Sequence, residues 1–449
     1  MSTQAGEARW ICGSPGLGEV ADQIARPPLS RPPLGWWIAL AGAGALTLAM
    51  VIGVTIVFFD GIGTMGNNSF VVWGFPIANY VWWIGIGNAG TLISSMLLLT
   101  HQQWRSSINR FAEAMTLFAV SIAGVFPIIH MGRPMYWYWL APYPNVMSLW
   151  PQWRSALVWD FWAILSYLLF SIGFWYVGLI PDMAVMRDKA RSWLGKRLFG
   201  LFALGWRGSI AQWRQQKSLQ KLMAMFAIPL VCSVHSIVGL DFAASLNPGW
   251  AETIFPPYFV VGAMFSGFCI VIVLTAVIRG AMHLQDIITV EHFDAMGKIC
   301  VAASLVMGVS YASEWFSGWY GGSPHDRVFL DFVFKGPYQP LYVAMLCLNV
   351  LLPQAMWSPK VRRNIGTMVI LAVMINVGMW LERLLIIVET LGHTFLPSNW
   401  KLFFPTLIDG AILFGSLGFF AFLFLLLSRV APLVAIHETE ELVARARGL

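Results

Sequence analysis

The sequence predicts an all-α integral membrane protein of about ten transmembrane helices, and three observations predict it. The chain is 58% hydrophobic and only 11% charged, with a mean hydropathy of +0.68, whereas soluble domains carry about 25% charged residues. Ten apolar runs each reach the roughly 20 residues that a helix needs to cross the hydrocarbon layer. The 23 tryptophans suit a chain with many membrane–water boundaries, where amphipathic rings prefer to sit. A net charge of +6 would suggest nucleic acid in a soluble chain. Here it follows from Lys and Arg kept in loops as topology signals, and no nucleic-acid partner is expected.

The elements follow in order. Residues 1–34 form a polar, Pro-rich lead ending in ARPPLSRPPL. It reads as a flexible cytoplasmic tail and not as a cleavable signal, because the apolar run behind it is too long for a signal core. The first transmembrane helix covers 35–60. Runs at 75–100, 110–131, 155–181 and 222–247 make a first four-helix bundle over 75–247. Runs at 256–283, 292–318, 337–358 and 364–392 make a second over 256–392. The last transmembrane helix covers 404–430, and 431–449 is a second cytoplasmic tail. The pairing of bundles rests on a faint parallel repeat. In each unit the second helix ends in an ionisable residue followed by aromatics, His130 before MYWYW and Glu314 before WFSGWY. The fourth helix of each carries two ionisable residues six apart, His235 and Asp241 in one, Arg383 and Glu389 in the other.

Positive charge orients the spans. With both termini inside, 21 of the 28 Lys and Arg fall in inner segments and five in outer loops, while Lys298 and Arg383 lie within spans. The bias predicts a multi-pass protein with both termini in the cytoplasm; the expected location is a bacterial inner membrane. His130 then sits at the outer end of the third span, Asp160 about one and a half turns into the fourth, and Asp241 about two turns below the outer end of the fifth. Three ionisable side chains from consecutive spans share one depth, toward the periplasm.

Ionisable groups inside a bilayer cost roughly 2.5–3.5 kcal/mol each on insertion scales and face a bundle interior or a wet cavity. Each has a plain structural reading. His130 could cap a helix C-terminus, and Asp160 could sit in the favourable field of a helix N-terminus. Asp241 has no such field, since it lies toward a C-terminal end; its plain reading is a pair with a neighbouring Arg or Trp donor. Together the three suit a quinol headgroup in an aromatic-lined pocket: two oxygens need partners, the isoprenoid tail needs lipid access, and oxidation needs bases. A histidine, whose free pKa is about 6.5, can take one proton, and a positioned carboxylate another. Bis-histidine haem is disfavoured because His130 and His235 lie at unmatched depths. The five scattered Cys include no CxxC or CxxCH motif, so no haem or iron–sulfur cluster is expected on this chain, and no protein-bound metal.

In WLERLLIIVETLGHTF, Glu382, Glu389 and His393 share the spacing of one helical face and resemble a proton relay; the plainer alternative is that Glu382 or Glu389 neutralises Arg383. His235, Glu314, Glu382, Arg383, Glu389 and His393 are the proton-path candidates. Asp294 and Lys298 read as an ordinary ion pair four residues apart.

The stretches HMGRPMYWYW, WDFWAILSYLLFSIGFWYVGLIPD, VHSIVGLDFAASLNPGW and MWLERLLIIVETL resemble the NrfD/PsrC-like (polysulfide reductase membrane subunit) family, over about 35–430. Within it they are most similar to the ActC-type subunits of bacterial alternative complex III. The resemblance implies a quinol- or menaquinol-binding subunit, with quinone as substrate, in a quinol:electron acceptor oxidoreductase such as quinol:cytochrome c. It implies His130, Asp160 and Asp241 as both binding and catalytic residues, with Arg133 binding from the same turn. It implies electron transfer to an extrinsic periplasmic iron–sulfur subunit and c-type cytochrome subunits. A second homologous membrane subunit, small membrane subunits, lipids and a terminal oxidase complete the expected partners, with coupling to proton translocation. The alternative is a secondary transporter or proton-translocating subunit without a quinone site. Helices broken at mid-membrane and inverted repeats would mark that class; here the polar layer lies near one face and the repeat is parallel.

Overall fold

The computed structural model describes residues 10–13, 16–141 and 152–447; the other residues of the two predicted tails and of the segment between the third and fourth spans lie outside it. It is helical, and ten helices are long and apolar enough to cross a membrane: Leu34–Asp60, Phe75–Leu99, Asn109–His130, Ala156–Lys189, Ile210–Ala243, Phe255–Ala281, Val290–Gly321, Gln339–Trp357, Ile365–Gly392 and Leu407–Val430. The chain is a multi-pass membrane protein. Its main helices are α1 (Leu17–Leu29), α2 (Leu34–Asp60), α3 (Phe75–Leu99), α4 (Asn109–Ala123), α5 (Phe126–His130) and α6 (Ala156–Lys189). There follow α7 (Trp193–Phe202), α8 (Ile210–Ala243), α9 (Phe255–Ala281), α10 (Val290–Phe316), α11 (Pro324–Lys335), α12 (Gln339–Leu346), α13 (Ile365–Gly392), α14 (Leu407–Val430) and α15 (Ile436–Ala446).

The first and last spans, α2 and α14, pack along each other. Small residues make this close: a Cβ on Gly415 would lie 2.4 Å from the Cβ of Met50, the kind of backbone approach that replaces hydrophobic drive in lipid. Helices α3, α4, α6 and α8 pack around one another, as do α9, α10, α12 and α13. The hub is α3, buried along almost its whole length and in contact with α4, α8, α9 and α13. The two groups meet where Gly267 of α9 faces Ala89 of α3; a Cβ at 267 would stand 1.8 Å from that of Ala89.

Two expectations need correction. Residues 17–29 of the predicted flexible lead form α1, an amphipathic helix that buries Val20, Ala21, Ile24 and Ala25 and packs on α15, which buries Ile436, Leu442 and Val443. The polar composition hides an apolar stripe at helical spacing; Pro27 and Pro28 fall in the last turn, where α1 stops. The charged segment 182–221 is also mostly helical. Helix α6 runs on to Lys189, and α8 begins at Ile210 behind a Ser209–Gln212 capping box. A helix does not need to end where the hydrocarbon ends, provided its terminal N–H groups are capped.

Candidate functional site

His130, Asp160 and Asp241 come together. They line one cavity of about 230 Å³ with Tyr80, Trp73, Pro127 and Phe242, at the end of the bundle opposite α1 and α15. Each arrives by its own helix: His130 as the last residue of α5, Asp160 in the second turn of α6, Asp241 just before the end of α8. Asp160 is buried at 4% exposure. The Tyr80 hydroxyl donates to its Oδ2, and the Tyr80 and His130 rings lie 6.3 Å apart, centroid to centroid. Asp160 and Asp241 line the same cavity, and the Oδ1 of each finds no donor. Carboxyls with unpaired oxygens at one cavity can accept a proton from a ligand or pass one on.

Arg133 is not part of this cavity. Gly132, at φ +80°, ends α5 in the left-handed conformation that glycine adopts freely, and the chain turns so that Arg133 is exposed. The turn then carries Met135, Trp137, Tyr138 and Trp139 to the surface, as expected for interface anchors.

His235 lies six residues, about 9 Å along the helix, from Asp241 and on another face. It is 1% exposed, meets Asn88 of α3 through Nδ1, and keeps Nε2 without a partner. It does not line the cavity.

The second helix group holds a separate buried cluster. Arg383 pairs with Glu382 at 2.6 Å and lies 4.2 Å from the Phe259 ring centroid. The hydroxyls of Tyr258 and Tyr311 each donate to one Glu382 oxygen, and Asn349 donates to Tyr311 and Glu382. Asn349 sits in a π-helical turn over Cys347–Leu351, and such turns re-aim one side chain. Glu314, Glu382 and Glu389 line a small cavity of about 30 Å³, room for a water molecule; the Oε1 of Glu389 has no partner. Arg383 is therefore neutralised by Glu382, and Glu389 is left over. His393 does not continue the line. Its ring stacks between Phe332 and Trp400, at 4.3 and 3.8 Å, and burial lowers its pKa. The helix ends at Gly392, so the face that would have aligned His393 with Glu389 stops one residue short.

A third cluster is not foreseen from the sequence. Arg110 donates to Asp182 at 2.9 Å and to the Gly178 carbonyl at 2.7 Å, and Ser94 donates to Glu113 at 2.6 Å. Between this cluster and the Asn88–His235 contact run Thr91, Thr116, Ser171 and Tyr167, linked by hydroxyl hydrogen bonds. Span counting alone leaves Arg110 and Asp182 at membrane edges. Extending α6 beyond 181 would expose the pairing of opposite charges on adjacent helices. Nothing in the sequence distinguishes Tyr80, Tyr258 or Tyr311 from other tyrosines.

Five features characterise this integral membrane helix bundle: three buried clusters of ionisable groups, a cavity at one end and a polar column along α3. The chain belongs to the polysulphide reductase NrfD family, whose model matches residues 63–394. Over 238 residues it is 26% identical to a Halobacterium salinarum protein named as the membrane subunit of a dimethyl sulfoxide reductase, covering 52% of this chain and 50% of that one. Over 318 residues it is 21% identical to a selenate reductase subunit of Mesobacillus selenatarsenatis, covering 69% of this chain and 71% of that one. The chain thus spans about half the length of the first of these relatives.

Proposed function

We propose that this chain is the quinol-binding and quinol-oxidising membrane subunit of a respiratory oxidoreductase of the alternative complex III type. The observation that carries the reading is the convergence of His130, Asp160 and Asp241, with Tyr80, on one apolar-walled cavity near a membrane face. Quinol oxidation releases two protons and two electrons. His130 takes one proton, the Asp160–Asp241 pair the other, and Tyr80 holds Asp160 in place. The electrons leave to an extrinsic iron–sulfur subunit and on to c-type cytochromes and a terminal oxidase. A second homologous membrane subunit and small membrane subunits complete the assembly. The charge bias supports both termini in the cytoplasm and the cavity toward the periplasm. Coupling to proton translocation would use the column of Thr91, Thr116, Ser171 and Glu113, or Glu314 and Glu389 in the second group. The names of the two relatives, both subunits of reductases, support a role beside redox partners.

The test is quinol-driven reduction of cytochrome c by the purified complex. Asp241→Asn and His130→Gln each abolish the reaction while the complex assembles with its extrinsic subunits. Full activity in both variants overturns the site, and a chain that purifies without iron–sulfur or cytochrome partners favours the transporter class instead.

A further inference from the structure

We propose that the chamber at the opposite end of the first helix group, on the face that carries α1 and α15, binds the headgroup of an anionic phospholipid. The chamber measures about 340 Å³ and lies between the end of α3, α6, α8 and the C-terminal helix α15. It is separate from the His130 cavity and independent of the quinol reading.

Its charges do not balance. Five cations line it, Arg105, Arg110, Lys217, Lys221 and Arg445, against Asp182, Glu438 and Glu441 and the carboxylate of Glu113, which pairs with Arg110 at 3.4 Å; the cations still outnumber the carboxylates. Every carboxylate is already engaged. Asp182 accepts from Arg110 and from the His437 backbone, Glu438 from Arg105 and Asn109, and Glu441 from Lys217 and Arg445. The spare capacity lies with donors. Nε of Arg105 and Nε of Arg110 find no acceptor but are closed off from the chamber; the donors a ligand can reach are those of the exposed Lys217, Lys221 and Arg445. Lys221 forms no ion pair among the described residues. A chamber that offers donors and positive charge, and no free carboxylate, selects an anion.

Its walls are apolar. Leu97, Leu98, Trp213 and Leu442 line it beside the charged groups. An anion with a greasy continuation fits both, and the chamber opens where the Lys and Arg of the charged face gather. Basic pockets between helix ends on the inner leaflet are the setting in which anionic headgroups are held. A free quinone would satisfy the donors but leave the excess of positive charge unmatched.

The purified complex in nanodiscs containing photoactivatable phosphatidylglycerol tests this by peptide mapping. The expected result is labelling of segments 97–105 and 213–221 that excess phosphatidylglycerol suppresses and phosphatidylcholine does not. Lys221→Ala weakens labelling about fivefold, the worth of one lysine at an anionic surface, and Lys221→Arg restores it; neither touches quinol turnover. Absence of labelling there, equal suppression by phosphatidylcholine, or suppression by inorganic phosphate or a short-chain quinone each overturns the proposal.

Discussion

Tyr80 donates its hydroxyl hydrogen to Oδ2 of Asp160 from the buried hub helix, so the carboxyl that faces the cavity is held by a neighbour eighty residues earlier in the chain. The other Asp160 oxygen has no donor and stays free for a ligand. Tyr80 is thus a positioning residue. Removing its hydroxyl strips one hydrogen bond from a carboxyl in a desolvated site, worth about 1.5–3 kcal/mol when the partner is charged. Tyr80→Phe is expected to lower kcat/KM for quinol about tenfold or more, with the complex intact. A purely structural role would instead reduce the yield of complex and leave the turnover of the surviving fraction unchanged.

How far the sequence shows this site depends on what each residue needs. His130, Asp160 and Asp241 are legible because ionisable groups inside apolar runs are costly, and span counting with charge bias points to their common depth. Arg133, which the resemblance assigns to the site, lies outside the cavity because the glycine turn at 132 decides where its side chain goes. Tyr80 and Asn349 stay hidden because their roles come from helix packing and a local π turn, neither of which leaves a periodic mark. The lead at 17–29 is misread because its prolines and charges outweigh four apolar positions that matter only once α15 covers them.

The Glu382–Arg383 pair is buried, at 1% and 4% side-chain exposure. Breaking such a pair by removing one partner costs about 3–5 kcal/mol, because the remaining charge is stranded. Arg383→Met is therefore expected to deplete the protein from membranes, and Glu382→Gln with Arg383→Met to restore much of it. Glu389, which has no cation partner, tolerates Glu389→Gln with no loss of abundance. Quantitative blotting of membranes from the four strains checks all of this, and equal abundance of Arg383→Met and the parent would refute it.

His437 stacks on Trp213 with centroids 3.7 Å apart and fixes α15 against α8. Burial lowers its pKa, and Lys217 adds to this, while Glu441 and Glu438 oppose it. In the undocked helix it titrates near the ordinary histidine value of about 6.5. Between the two values the undocked form binds more protons, so docking is complete above about 6.5 and weakens as pH falls below it. Limited proteolysis of the C-terminal helix is expected to accelerate as pH falls below about 6.5 in the parent. His437→Phe, which keeps the stack without the titrating nitrogen, should flatten that part of the profile. An unchanged slope in the variant would move the effect to another group.

Gly267 and Ala89 hold the two helix groups at their shared seam, and the distance there leaves no room for a methyl group. A Cβ at 267 would come within 1.8 Å of the Ala89 Cβ, a contact that only backbone separation can relieve. Overpacking a tight core costs about 1–3 kcal/mol. Gly267→Ala is therefore expected to lower the Tm of the purified complex. The relief must come from the opposite wall: Ala89→Gly combined with Gly267→Ala returns the displaced methyl's space and recovers most of the loss. The double-variant cycle separates this contact from general helix propensity, since each glycine exchange alone shifts propensity by about 1 kcal/mol in opposite directions. If the double variant is no more stable than Gly267→Ala alone, the seam is not where the two groups are locked together.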